Sequence, residues 1–176
     1  MALINALLDT FITRLHEQFE GSLQDLSDAQ LHWHPNDATL QIAFHAWHFL
    51  RTKDNVVNFV LQDRKMPLWV RENMHETWKL PKVAQGTGMS REDALALRVP
   101  SAQALIDYGR VVHDDVMPYL RGVGVEELHS LCRLDPWGER SKLEHILQTV
   151  IAHGNGHLGQ IDVLRCLQGL RPAADI

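Results

Sequence analysis

Cysteine is nearly missing from this sequence. Cys132 and Cys166 are the only two in 176 residues, and they stand far from any C-x-x-C spacing. A disulfide framework is therefore not expected, and both thiols read as structural. Basic charge is also short: 17 Lys and Arg against 22 Asp and Glu leave a net charge of −5, with no basic stripe. That argues against a nucleic-acid surface. No apolar run reaches about eighteen residues, and the N-terminus shows no leader pattern, so a cytoplasmic protein with no membrane partner is expected. Internal repeats, low-complexity tracts and strand-like alternation are missing too. What remains is one chain of ordinary hydrophobic content, 45%, long enough for the substantial core of a single domain over residues 1–176.

Histidine is the residue in excess. There are eleven, against two tyrosines, a compositional hint of metal chemistry. The most informative stretch is 153–165, His-Gly-Asn-Gly-His-Leu-Gly-Gln-Ile-Asp-Val-Leu-Arg. On an α-helix, His153 and His157 lie roughly 40° apart around the axis and about 6 Å along it, so both imidazoles face one way. Leu143, Ile146, Val150, Ile161 and Leu164 recur at helical steps through the same segment. The pair thus sits on or beside the core-facing stripe, where two imidazoles need partners. A divalent metal is one such partner, since neutral imidazole is its commonest protein ligand.

Gly154, Gly156 and Gly159 also spell G-x-G-x-x-G, the dinucleotide fingerprint. That motif needs a strand before it and a βαβ unit around it. Here Ser141 and Glu144 form a capping box that starts a helix running straight through the glycines, and the sequence stops at Ile176, too soon for a second strand. The nucleotide reading is set aside. Glycine costs a helix about 1 kcal/mol against alanine, so three of them suggest that backbone or ligand comes close.

The rest of the chain reads as helices with two long connections. Leu3, Ala6, Leu7, Phe11, Leu15 and Phe19 mark an amphipathic helix over 3–19, ended by Gly21, and Ser27 to Gln30 spell a capping box over a short turn. A second long helix runs from about Thr39 to Gln62 and carries His45 and His48, of which only one can point fully inward. Residues 63–100 are irregular, rich in Pro and Gly, with a short helix after Ser90. A connection of that length either spans the domain or covers a site, and Trp69 and Trp78 within it are candidates to line a pocket. Ser101 caps a third helix to about Leu120, with Pro118 near its end, and the last helix runs from Ser141 to about Gly169. All five tryptophans read most simply as core or dimer anchors, with pocket lining the lesser alternative for Trp69 and Trp78. His16, His32, His34, His75, His113, His129 and His145 share no spacing and read as surface or loop residues. The fold class is all-α, a four-helix bundle with a long crossover connection, in which metal sites are built from inward side chains of facing helices.

His48-Phe-Leu-Arg-Thr-Lys-Asp54 on the second helix, with His153-x-x-x-His157-x-Gly159-Gln160-Ile161 on the last, resembles the DinB/YfiT-like metalloprotein superfamily over essentially the whole chain. The resemblance implies a four-helix bundle, often paired as a homodimer, in which His48, His153 and His157 bind a divalent metal, with His45 the alternative on the second helix. Lys53 departs from the family pattern, where an acidic residue would precede Asp54. The resemblance also implies a thiol-dependent chemistry, since known members include transferases and isomerases that use low-molecular-weight thiols such as bacillithiol or mycothiol.

Three neutral ligands leave a metal, zinc or nickel for instance, its full charge and an open position, as in catalytic sites. A metal-dependent thiol transferase acting on a small molecule is the first expectation. A metal-dependent hydrolase is the second, although no carboxylate is clearly placed as its general base. A non-catalytic metal-binding stress-response protein is the third. Gln160 is a candidate neighbour of the site, with a packing role as its alternative.

Overall fold

In the computed structural model, which describes residues 2–173, four long helices pack around one core. α1 (Ala2–Leu23) is followed by the short α2 (Asp28–Leu31), capped by the Ser27–Gln30 box. α3 (Ile42–Asp54) continues without a break as a π-helical turn over Asn55–Val60. The crossover then carries α4 (Leu68–Arg71), α5 (Met74–Trp78) and α6 (Arg91–Ala96). α7 (Ala102–Gly122) is capped by the Ser101 hydroxyl and holds Pro118 near its C-terminal end. After α8 (Val125–His129) come β1 (Leu131–Leu134) and β2 (Gly138–Ser141). The last helix is α9 (Lys142–His145), a π-helical stretch Ile146–Ala152, and α10 (His153–Leu167). α1 packs on α7 and α10, and α3 packs on the same two helices.

Every residue of α3 from Ile42 to Asp54 is buried. A helix enclosed on all sides lies at the centre of its fold, so whatever polar groups α3 carries must find partners inside. α1 corrects part of the sequence pattern. Its buried face is Leu8, Ile12, Leu15, Phe19 and Leu23, while Leu3, Ala6, Leu7 and Phe11 lie on an exposed face. The helix carries two apolar stripes, and packing against α7 and α10 selects between them. It also runs through Gly21 to Leu23.

The hairpin β1–β2 has no counterpart in the sequence reading. Its four-residue strands pair Leu131 with Ser141 through Leu134 with Gly138, too short to show alternation above noise. Gly138, at φ +79°, supplies the left-handed residue that closes a three-residue loop.

Asp54 ties the crossover to α3. Buried completely, its carboxylate accepts from the backbone N–H groups of Leu68 and Trp69, from Tyr108 Oη at 2.8 Å and from Asn58 Nδ2 at 2.9 Å. Trp69, stacked edge-on with Trp47 and Trp78, donates its indole N–H to the Pro81 carbonyl at 2.9 Å. These contacts fix where the crossover leaves and returns.

Of the histidines expected on the surface or in loops, His75, His113 and His145 are buried and His16 is half-buried. His145 is fully buried and faces the Cys132 carbonyl, and His75 is 8% exposed. His16 and His113 stack at 4.2 Å between α1 and α7, and Lys53 Nζ reaches His113 Nδ1 at 3.1 Å. They follow no shared spacing because each faces a different neighbour. Lys53 is 2% exposed, and burial, partly offset by Asp114, pulls its pKa from 10.5 to about 7. Between those values the unfolded chain holds a proton that the folded chain gives up. Lys53 therefore costs stability increasingly as pH falls from about 10.5 to 7. Lys53→Met, which keeps the volume and removes the charge, is expected to raise stability at pH 7 by about 1–4 kcal/mol, the range for replacing buried charge by packed apolar side chains. Chemical denaturation at pH 7 and pH 10 checks this: the gain should shrink at the higher pH, and a destabilised variant at pH 7 would contradict it.

Candidate metal centre

The π-helical stretch Ile146–Ala152 ends immediately before His153. One turn of i→i+5 bonding shifts the phase of all that follows, and so sets which face α10 turns to α3. Gly154 then lets the two helices touch: an added Cβ there would fall 2.5 Å from Phe49 and 2.6 Å from Leu15. The close approach expected of the glycines is real at this position and is made by side chains. Gly156 and Gly159 face open space, with no atom within 4 Å of an added Cβ.

At this crossing, His48 of α3 meets His153 and His157 of α10. His153 Nε2 lies 3.1 Å from His48 Nε2 and 2.9 Å from His157 Nε2. A candidate ligand atom from each of the three lies within 4.8 Å of the others. Ligands about 2.0–2.1 Å from a tetrahedral ion are separated by about 3.3 Å, so the spacing suits a common ion. His45 stands outside this triangle, its Nδ1 3.0 Å from His157 Nδ1, on the far side of the His157 ring.

The protons follow from these contacts. His48 Nδ1 donates to the Gln85 carbonyl, so a neutral His48 presents a bare Nε2 to the cluster. His157 can likewise keep its proton on Nδ1, directed at His45, leaving Nε2 bare. His153 Nε2 faces both neighbours, and one proton there could serve only one of them. A cation shared by all three lone pairs would leave none of the three Nε2 atoms unpaired. The donor set therefore fits a divalent metal.

Burial keeps these rings neutral. It lowers His45 and His153 to about 4, helped in both by the neighbouring His48. His157 falls to about 3, through burial and then the three surrounding histidines, against a small opposing pull from the Gln160 side chain. His48 is lowered by burial and partly restored by the Gln85 carbonyl. All four are free bases at neutral pH, the form a metal requires.

The crossover covers the site through residues 85–87. Gly86, at φ +103°, lies so close that a Cβ would sit 2.8 Å from His48 Nδ1. Only glycine allows both that backbone conformation and that approach, and it brings the Gln85 carbonyl onto the ring. Trp69 and Trp78 are buried, as the core reading expected, and do not line the cavity beside His48 and His153. Trp69 is fully buried, and Trp78 lines a separate 740 Å³ groove along the crossover. The tryptophan at the site is Trp137 of the hairpin turn, which borders a cavity with His48 and His153. Nothing in the sequence pattern connects residue 137 to 48, because the hairpin is brought over the site by its pairing onto α9.

Known proteins agree with the architecture. The sequence model of the DinB superfamily matches residues 12–161. A crystal structure of a conserved protein from Enterococcus faecalis superimposes with a TM-score of 0.83 at 22% identity, covering 96% of this chain and 99% of that one. At that identity the likeness speaks for the fold. No curated protein matches the chain. Among the described residues, no helix is long and apolar enough to cross a membrane.

Proposed function

Because the chain belongs to the DinB superfamily, we propose that His48, His153 and His157 hold a divalent metal, zinc or nickel, in a thiol-dependent transferase acting on a small molecule. The observation that supports it is the convergence of three Nε2 atoms from two helices, with the Nδ1 atoms of His48 and His157 turned outward to the Gln85 carbonyl and to His45. Bound by three neutral imidazoles, such an ion keeps its charge and an open position, where a thiol or water ionises near neutral pH. The chain's own groups orient and shield. The Gln85 carbonyl fixes the His48 tautomer, and His45 Nδ1 stands within hydrogen-bond distance of His157 Nδ1, so both rings are held as ligands commonly are by their outer partners. Phe44, stacked on His48, and Phe49, beside His153, keep water from the backs of the rings.

Asp135 supports a hydrolase as the second reading, since this residue lines the cavity beside His48 and His153. Its side chain is 74% exposed and paired with Arg133 at 3.1 Å, which places it at the mouth and favours the transferase.

The test begins with metal content. Purified protein titrated with zinc or nickel should take up about one ion per chain, and His153→Ala or His157→Ala should abolish uptake. Absence of binding by wild-type protein would refute the site. Loaded protein should then accelerate conjugation of bacillithiol or mycothiol with an aryl chloride, forming the C–S bond with release of chloride and a proton. Acceleration of ester hydrolysis instead, lost in Asp135→Asn, would favour the second reading.

A homodimer is part of the proposal, supported by the exposed Leu3, Leu7 and Phe11 on one face of α1. Light scattering should give twice the 20.1 kDa of one chain, and a single-chain mass at micromolar concentration would refute it.

A further inference from the structure

A cavity of about 200 Å³ opens beside His48 and His153. It is smaller than the 300–1,000 Å³ typical of sites for drug-sized ligands, so it suits a fragment of few heavy atoms. The hairpin turn, through Asp135 and Trp137, forms one rim, and Thr52, Gln85 and Thr149 contribute polar walls. No Lys or Arg lines it.

Besides His153, whose Nδ1 is buried without a partner, two of the wall groups have unmet hydrogen-bonding capacity. Thr52 is 6% exposed, yet its Oγ1 has no partner. A threonine in a helix commonly donates to the carbonyl one turn back, as Thr149 does to His145 at 2.6 Å. Thr52 instead borders the cavity with its hydroxyl unspent. The Gln85 side-chain oxygen is likewise buried without a partner, although the backbone carbonyl of the same residue is engaged by His48. Buried polar groups are normally paired, and a cluster of exceptions at a cavity wall calls for a ligand.

The chemistry of the walls narrows its class. A hydroxyl both donates and accepts, and so does a side-chain amide, whichever way the Gln85 oxygen and nitrogen are turned. A carboxylate or phosphate would find no cationic side chain in the wall, and its oxygens could use only the donors. A neutral carboxamide matches both groups, because it also donates and accepts. We propose that this cavity binds a small, uncharged, amide-bearing portion of the substrate, held by the Thr52 hydroxyl and the Gln85 side chain. The proposal rests on the three-histidine reading for which end of the ligand reacts, but not for the cavity's selectivity.

The test uses the full chain, ¹⁵N-labelled and free of metal, titrated with acetamide and, separately, with acetate. The Trp137 indole N–H, assigned through Trp137→Phe, reports occupancy. Acetamide should shift it saturably, acetate at equal concentration should not, and Thr52→Val should weaken acetamide binding roughly fivefold, the worth of one hydrogen bond. Should Thr52→Val fold poorly, Gln85→Leu carries the same expectation, since it keeps the backbone carbonyl that meets His48. Equal shifts by acetate, or wild-type acetamide binding in the folded variants, would overturn the proposal. Zinc titration of the same wild-type sample separates the two readings. Selective acetamide binding without zinc uptake removes the metal and leaves the cavity, and zinc uptake without amide selectivity does the reverse.

Discussion

His48→Ala should lower zinc affinity by more than about a thousandfold, and His45→Ala by only about 10–100-fold, the usual cost of losing a group that supports a ligand. Both residues lie on α3 and both are buried, so exposure does not separate them. Three residues of helix leave their side chains some 60° apart, and the geometry of α10 decides between them. His48 Nε2 lies 3.1 Å from His153 Nε2, on the side where the bare nitrogens meet. His45 reaches only His157 Nδ1, the nitrogen turned away from that point. On the proposed site, removing His48 would delete a ligand, whereas removing His45 would free the orientation of His157, a ligand that remains. Competition against a chromophoric chelator measures both affinities over the needed range. The reverse order would make His45 the ligand, and equal losses would mean that the four rings bind as one unit.

Asp54→Ala is expected to cause the largest loss of stability among single substitutions on α3, about 3–5 kcal/mol, as for removal of one partner from a buried charged network. The carboxylate serves two backbone N–H groups, Tyr108 and Asn58, and alanine would leave these donors unpaired in the core. It also faces the buried Arg51 guanidinium at 3.9 Å, which otherwise rests on the Trp69 ring and the carbonyls of Lys82 and Val83. Asp54→Asn, which keeps the shape and one acceptor oxygen, should lose less. Denaturant titration with an unchanged slope reports the difference, and a loss below about 1 kcal/mol in Asp54→Ala would show that the network is dispensable. Because Asp54 anchors the crossover that carries Gln85 and Gly86, its loss should also loosen the contact on His48.

Much of the arrangement is legible along the chain because it is local. The i, i+4 spacing of His153 and His157 fixes their shared direction within any helix, and the Ser27, Ser101 and Ser141 caps mark helix starts from a few adjacent residues. The period of apolar residues requires helices that bury one face, and four such helices with long connections require a bundle. Tertiary structure decided the rest. α1 has two apolar stripes, and only contact with α7 and α10 shows that Leu8 and Ile12, not Leu3 and Phe11, are inside. His16, His113 and His145 carry no periodic mark, and their burial depends on partners far away in sequence, among them Lys53 and Cys132. The hairpin that brings Trp137 to the histidines is too short for a pattern. The Gly86 contact joins two segments whose separation along the chain says nothing of their 2.8 Å approach in space. Spacing within one helix is set by backbone geometry, whereas the partner of a buried polar group is set by which helix packs against it.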